Sequence, residues 1–333
     1  MTGLQFVASL IMTAGLFLGR ATAQDACPAP AGSLITVARG VSIEVVEWSR
    51  TGQPLVFLSG LSKTAHAFDN FAPRFADQYR VVGITRRGWG RSSHTLRLPY
   101  DSAHLVEDIL AIMDSLAMPA AHLVGWSYGG DEAVLMASQH PDRVLSVTLL
   151  DSYDNSPAAQ TFATSDSLPA PKEDSRPPRS LAELIQRQRA LGYPDPISEV
   201  CATSRFASNG RYIGPVTSDS VAEFTWLGAA RLAYSAVTRP LLAIYGTEHR
   251  LEDLFPTFAV MDSAERARAV LITAAFDREL RAARLRLRRA VPSAHIVEIP
   301  GANHAIFRSH PERVFRAMRE FLAGVGAASY RAR

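Results

Sequence analysis

Gly125-Trp126-Ser127-Tyr128-Gly129-Gly130 sets a serine at G-x-S-x-G spacing. A serine hydroxyl is a weak nucleophile at neutral pH. To attack a carbonyl it needs an imidazole to take its proton and a carboxylate to orient that imidazole. The glycines permit a sharp strand-to-helix turn that strains the serine backbone and lifts its hydroxyl clear of a sheet. Of the nine histidines, His304 is the candidate for the general base. It ends the turn Ile299-Pro300-Gly301-Ala302-Asn303-His304 after the last expected strand, on the sheet edge that carries Ser127. His295 sits at the opposite end of that strand, and His140 and His310 each precede a proline at a helix end.

These residues need a frame that brings strand ends together. Pro54–Leu58, Tyr79–Thr85, Ala121–Gly125, Val144–Leu150, Pro240–Tyr245 and 294–299 are short apolar runs that read as buried parallel strands. Two β-rich stretches, Ser33–Ala38 and Val41–Ser49, precede them. Helical patterns fall between: Ala67–Gln78, Tyr100–Met118 with Leu105, Ile109, Ile112 and Leu116 on one face, Tyr128–His140, 262–290 and 311–323. Strand and helix in turn predict right-handed crossovers and a mostly parallel central sheet flanked by helices. The alternation stops after Asp151 and resumes near Pro240. About 85 residues is too long for one crossover. We expect a mostly helical cap insertion over 155–237, with Arg179–Leu191 and Ser218–Val237 helical, lying over the sheet edge. The core is then 24–154 and 238–333.

Strand, elbow and helix together resemble the α/β-hydrolase superfamily over roughly residues 33–325. Arg87-Gly88-Trp89-Gly90-Arg91-Ser92 resembles that family's R-G-x-G-x-S loop, and the turn ending at His304 resembles its C-terminal histidine loop. The resemblance implies a triad acid at one of two strand ends. The usual place is three residues after Gly246, where this chain has His249, with Glu248, Glu252 and Asp253 nearby. The other is Asp151, in Leu149-Leu150-Asp151-Ser152-Tyr153-Asp154 beside the nucleophile strand. Asp151 is the first choice and Glu248 the second. The oxyanion donors implied are the backbone N–H of Tyr128 and that of Leu61, in Ser59-Gly60-Leu61-Ser62. Ser59 stands where relatives usually carry His.

The fold so implied is a serine hydrolase of esterase or lipase type that cleaves a carboxylic ester or lactone through an acyl-enzyme. Epoxide hydrolases and dehalogenases of the superfamily use Asp as nucleophile, and Ser127 argues against both. Cofactor-free haloperoxidase-like activity uses a similar triad. The missing acid at position 249 motivates a different alternative, a ligand-binding protein with little turnover. Phe162, Phe206, Phe224 and Trp226 of the insertion read either as an apolar substrate site or as the insertion's own core. With no C-x-x-C and no zinc-ligand spacing, no metal or cofactor is expected.

Composition bounds the setting. The net charge is +3 and almost all positive charge is Arg, with Lys63 and Lys172 the only lysines. The Arg278–Arg289 cluster reads as a solvated helix face, so no nucleic-acid partner is expected and the substrate is a small molecule. Leu4–Leu18 is apolar and Ala21-Thr22-Ala23 follows, the pattern of a secretory signal at 1–23 cut after Ala23. The run is shorter than the roughly 20 residues of a membrane span. No stable span is expected after cleavage, and the product would be secreted or periplasmic. There Cys27 and Cys201 could form one disulfide, or remain two thiols.

Overall fold

The computed structural model describes residues 27–29, 31–153, 176–190, 194–255 and 257–331. The expected signal segment at 1–23 and the start of the expected insertion, through 175, lie outside them.

Short β-branched runs become the strands. In chain order these are β1 (Ser33–Ala38), β2 (Val41–Glu47), β3 (Gln53–Leu58), β4 (Tyr79–Thr85), β5 (Ala121–Trp126), β6 (Val144–Leu150), β7 (Ser204–Phe206), β8 (Tyr212–Pro215), β9 (Leu241–Thr247) and β10 (His295–Pro300). Eight of them form one sheet in the order β1-β2-β4-β3-β5-β6-β9-β10. Every pair from β4 to β10 is parallel. Only β1–β2 and β2–β4 are antiparallel. This is the expected mostly parallel sheet.

The helices are α1 (Ser102–Ser115), α2 (Tyr128–Gln139), α3 (Leu181–Ala190), α4 (Ile197–Thr203), α5 (Asp219–Leu227), α6 (Leu251–Leu254), α7 (Ser263–Ala290), α8 (Ile306–Ser309) and α9 (Pro311–Arg331). Side chains alternate across a strand, so the sheet has two apolar faces. Val56, Leu58, Leu123, Leu149 and Ala243 pack with α1, α2 and Leu287 of α7. Leu55, Phe57, Val124, Leu150, Ile244 and Ile299 pack with Phe68, Phe71 and Phe75 and with Phe307, Val314 and Met318 of α8 and α9. Helices therefore cover both faces, and the parallel strands share one C-terminal edge.

Two local expectations need correction. Ala67–Gln78 is not one amphipathic helix but two 3-10 turns, Ala65–Phe68 and Ala72–Phe75. Pro73 has no N–H to continue an α-helix and is accommodated only at the start of the second turn. Ser218–Val237 is not helical throughout: α5 stops at Gly228, and only a 3-10 turn, Tyr234–Ala236, follows. The insertion also holds the small antiparallel pair β7–β8, whose short strands give no periodic signal in sequence. Among the described residues, no helix is long and apolar enough to cross a membrane.

Candidate active site

The nucleophile candidate is built by close backbone approach. Ser127 joins β5 to α2 with φ +52° and ψ −124°, the strained conformation expected of it. Glycine on both sides is a steric requirement. A Cβ on Gly125 would lie 2.3 Å from the Gly129 carbonyl oxygen, and one on Gly129 would lie 2.2 Å from the Leu58 carbonyl oxygen. Trp126 and Leu150 are register partners on the neighbouring strands β5 and β6. The residues that follow them, Ser127 and Asp151, therefore leave the sheet side by side. The Ser127 N–H donates to the Leu150 carbonyl at 3.1 Å.

Asp151 also has a left-handed backbone, φ +47°. Its carboxylate is buried, with the side chain 3% exposed. Oδ1 accepts from the Gly246 N–H at 2.9 Å and from the Tyr153 hydroxyl at 3.1 Å. Oδ2 lies 2.8 Å from His304 Nδ1. A carboxylate can only accept, so Nδ1 carries the proton and Nε2 is left free to take one. Burial, and then the Asp151 charge, push the Tyr153 hydroxyl well above its ordinary pKa, which keeps it a donor. The His304 ring is about half exposed and its carbonyl accepts the Trp126 indole N–H at 2.8 Å. The His304 loop is thus tied to the residue next to Ser127.

At the other strand end, Glu248 is exposed. His249, which occupies the usual acid position, turns toward α7: its Nδ1 is 2.9 Å from Asp277 Oδ1 and its ring meets Phe276 edge-on. Of the two acid candidates, it is Asp151 that touches His304.

The loop carrying Leu61 is held from beneath. Arg86 donates to the Ser59 carbonyl at 2.8 Å and the Gly60 carbonyl at 3.2 Å. The same guanidinium binds Glu132 of α2 through two bonds, at 2.6 and 2.8 Å, with both side chains buried. One planar fork therefore fixes the Ser59–Leu61 loop against the elbow helix. Gly60 runs so close to the nucleophile that a Cβ there would be 3.2 Å from Ser127 Cβ. Sequence reasoning missed Arg86 and Glu132. The available signal was a second arginine before Arg87 and the acidic pair Asp131-Glu132 at the start of a mostly apolar helix. Arg87 instead pairs with Asp108 of α1 through two 2.6 Å bonds. Ser92 Oγ donates to the Thr85 carbonyl at 2.6 Å. The R-G-x-G-x-S loop is therefore a packing element rather than part of the chemistry.

The insertion reaches the elbow directly. The buried Tyr128 hydroxyl donates to the Thr225 carbonyl of α5 at 3.0 Å. Glu199 of α4 is buried and accepts from the Thr64 N–H and hydroxyl. Of the aromatic residues named from sequence, Phe206 packs on Tyr212 within the small hairpin, Phe224 is exposed, Trp226 is half-buried on α5, and Phe162 lies outside the described residues. Among the described residues, no group of three or more His, Cys, Asp or Glu side chains is arranged to hold a metal ion. Cys27 and Cys201 form a disulfide.

Residues 53–196 match a family model described as alpha/beta hydrolase fold. A solved E-2-(acetamidomethylene)succinate hydrolase superposes with TM-score 0.65 at 21% identity, covering 88% of this chain and 98% of that one. The curated 2-(acetamidomethylene)succinate hydrolase of Mesorhizobium japonicum is 24% identical over 82% of this chain and 88% of its own length. A fluoroacetate dehalogenase from a Burkholderia species is 35% identical over 105 residues, 30% of this chain and 34% of that protein. The chain likewise spans only 36%, 43% and 38% of three further curated relatives that it matches.

Proposed function

We propose that this chain, which carries the alpha/beta hydrolase fold, is a serine hydrolase cleaving a carboxylic ester or lactone. The observation that carries the proposal is the Asp151–His304 pair at the end of the strand beside Ser127.

In this reading His304 Nε2 takes the Ser127 hydroxyl proton as Oγ attacks the substrate carbonyl carbon. The carbonyl oxygen becomes an alkoxide, which the backbone N–H groups of Tyr128 and Leu61 stabilise. Collapse breaks the bond to the leaving alcohol oxygen, and His304 returns the proton to that oxygen. Water, deprotonated by the same imidazole, then attacks the acyl-Ser127 ester and releases the acid. Asp151 fixes the His304 tautomer and stabilises the imidazolium that forms in both halves. A serine at the elbow weighs against chemistry that needs a carboxylate nucleophile, although one relative is named a dehalogenase. The ester or lactone bond is chosen over an amide because an alcohol leaves the tetrahedral intermediate more readily than an amine and so asks less of His304 as the proton donor. Export to an oxidising compartment belongs to the same proposal, supported by the disulfide and by the apolar N-terminal run.

The test is a hydrolysis screen of p-nitrophenyl esters of increasing chain length, with lactones alongside. Turnover that disappears in Ser127→Ala supports the reading. A folded wild-type protein inert to every ester and lactone while cleaving amides would overturn the bond assigned.

A further inference from the structure

The insertion segment just before α4 sends one acid between the two loops of the site. The Asp195 carboxylate is buried, its side chain 5% exposed. Oδ2 binds Lys63 Nζ at 2.6 Å, and Oδ1 binds Arg308 Nη1. Lys63 is two residues past Leu61, and its own backbone closes that loop. Its N–H donates to the Gly60 carbonyl at 3.2 Å, and its carbonyl accepts the Ser59 hydroxyl at 2.9 Å. Arg308 is four residues past His304, in α8. Its Nη2 donates to the Ala67 carbonyl at 3.1 Å, and its guanidinium lies 5.5 Å from the ring centre of Trp126. Trp126 in turn holds the His304 carbonyl. A chain of contacts therefore runs from the oxyanion loop through Asp195 to the base loop.

We propose that Asp195 is a positioning residue that sets the distance between the oxyanion loop and the His304 loop, an inference that rests on the serine-hydrolase reading. One carboxylate pairs with two cations that belong to different loops. Without it, the partly exposed Lys63 and Arg308 lose the counterion they share, and the link between their two loops is gone. The segment that carries Asp195 cannot drift to compensate. Ser198 is bonded to Asp69, Glu199 to Thr64, and Cys201 to Cys27. Catalytic geometry tolerates little error, and about 1 Å of displacement costs on the order of 100-fold in rate. The two loops act on the transition state rather than on the resting ester, so the loss falls on kcat.

The experiment compares wild type, Asp195→Ala, Lys63→Met, Arg308→Met and the Lys63→Met/Arg308→Met pair. It measures kcat and KM on p-nitrophenyl butyrate, the fluorophosphonate labelling rate at Ser127, and the thermal midpoint. We expect Asp195→Ala to lose about 10- to 100-fold in kcat and in labelling rate, with KM within about 3-fold. Each single cation variant should lose a similar factor, and the pair no more than either, because either break already uncouples the loops. A folded Asp195→Ala variant with wild-type kcat, or one changed in KM alone, overturns the proposal. Should Asp195→Ala fail to fold, the cation variants decide, and losses that multiply in the pair overturn it. Wild-type protein that neither turns over the ester nor labels at Ser127 would overturn the parent reading and this one together.

Discussion

His304 Nδ1 meets Asp151 Oδ2 at 2.8 Å across 153 residues of chain: Asp151 follows β6 and His304 follows β10, on one sheet edge with β9 between them. Asp151 is not free to rotate away. The Gly246 N–H and the Tyr153 hydroxyl hold its other oxygen.

Asp151→Asn should therefore lower kcat by about 10⁴-fold, because an amide nitrogen facing Nδ1 would favour the wrong tautomer. Glu248→Gln should stay within about 3-fold of wild type, since Glu248 is exposed and Nδ1 is already taken. Steady-state kinetics on one ester checks both. A large loss in Glu248→Gln with Asp151→Asn unaffected would move the acid to the other strand end.

The elbow glycines separate stability from activity. Gly129→Ala pushes a methyl to 2.2 Å from the Leu58 carbonyl oxygen. It should destabilise the protein by about 1–3 kcal/mol, read from the urea midpoint. Gly60→Ala is milder, with its methyl 3.2 Å from Ser127 Cβ. We expect a near-native midpoint and a kcat reduced by about 10-fold, because the displaced atoms are those of the oxyanion loop and nucleophile. Equal effects of the two variants on stability would contradict this geometry.

Two buried groups make stability fall as pH rises. Burial raises Glu199 to about 7, against the pull of Lys63 and the Thr64 hydrogen bonds. Folding then takes up a proton between the ordinary value of 4.5 and about 7, so stability declines across that window. Burial opposes charge on His66, but the carboxylates of Asp69, 2.9 Å from Nδ1, and Glu44, 3.6 Å from Nε2, prevail and raise it to about 10. Its stabilisation is complete below 6.5 and is lost toward pH 10. Glu199→Gln should remove the first decline, worth about 3 kcal/mol at most, and leave the second. Urea midpoints from pH 5 to 10 report this. A difference between wild type and variant that does not change from pH 5 to 8 would contradict it.

Much of this was legible in the chain because glycine and short apolar runs have few uses. The G-x-S-x-G turn and the order of strands follow from local sterics, and His304 follows from chain order. Asp151 remained one of two choices, since either strand end can reach the imidazole. Only the side-chain contact of His249 with Asp277 explains why the second end is occupied differently. Arg86, Glu132 and Asp195 left no periodic or spacing signal. Their partners lie 27, 46, 132 and 113 residues away, and buried ion pairs of that kind are set by packing alone. The 3-10 turns at Ala65–Phe75 were misread because an aromatic helix face and a proline-broken pair of turns bury the same phenylalanines.

The disulfide makes a separate prediction. Cys27 and Cys201 are 174 residues apart in sequence, so the bond closes a long loop in the unfolded chain. A Cys27→Ser/Cys201→Ser variant should lose about 2–4 kcal/mol of stability, and reductant should shift the wild-type urea midpoint but not that of the variant. A wild-type midpoint indifferent to reductant would show that the bond contributes nothing to stability.

The proposed roles of Ser127 as nucleophile and His304 as its base meet in one labelling reaction. A fluorophosphonate probe followed by peptide mapping tests them most directly. One label per folded chain is expected, on Ser127, with labelling abolished in Ser127→Ala and slowed at least about 100-fold in His304→Ala. A folded wild-type protein that takes no label, or takes it on another residue, would contradict the account.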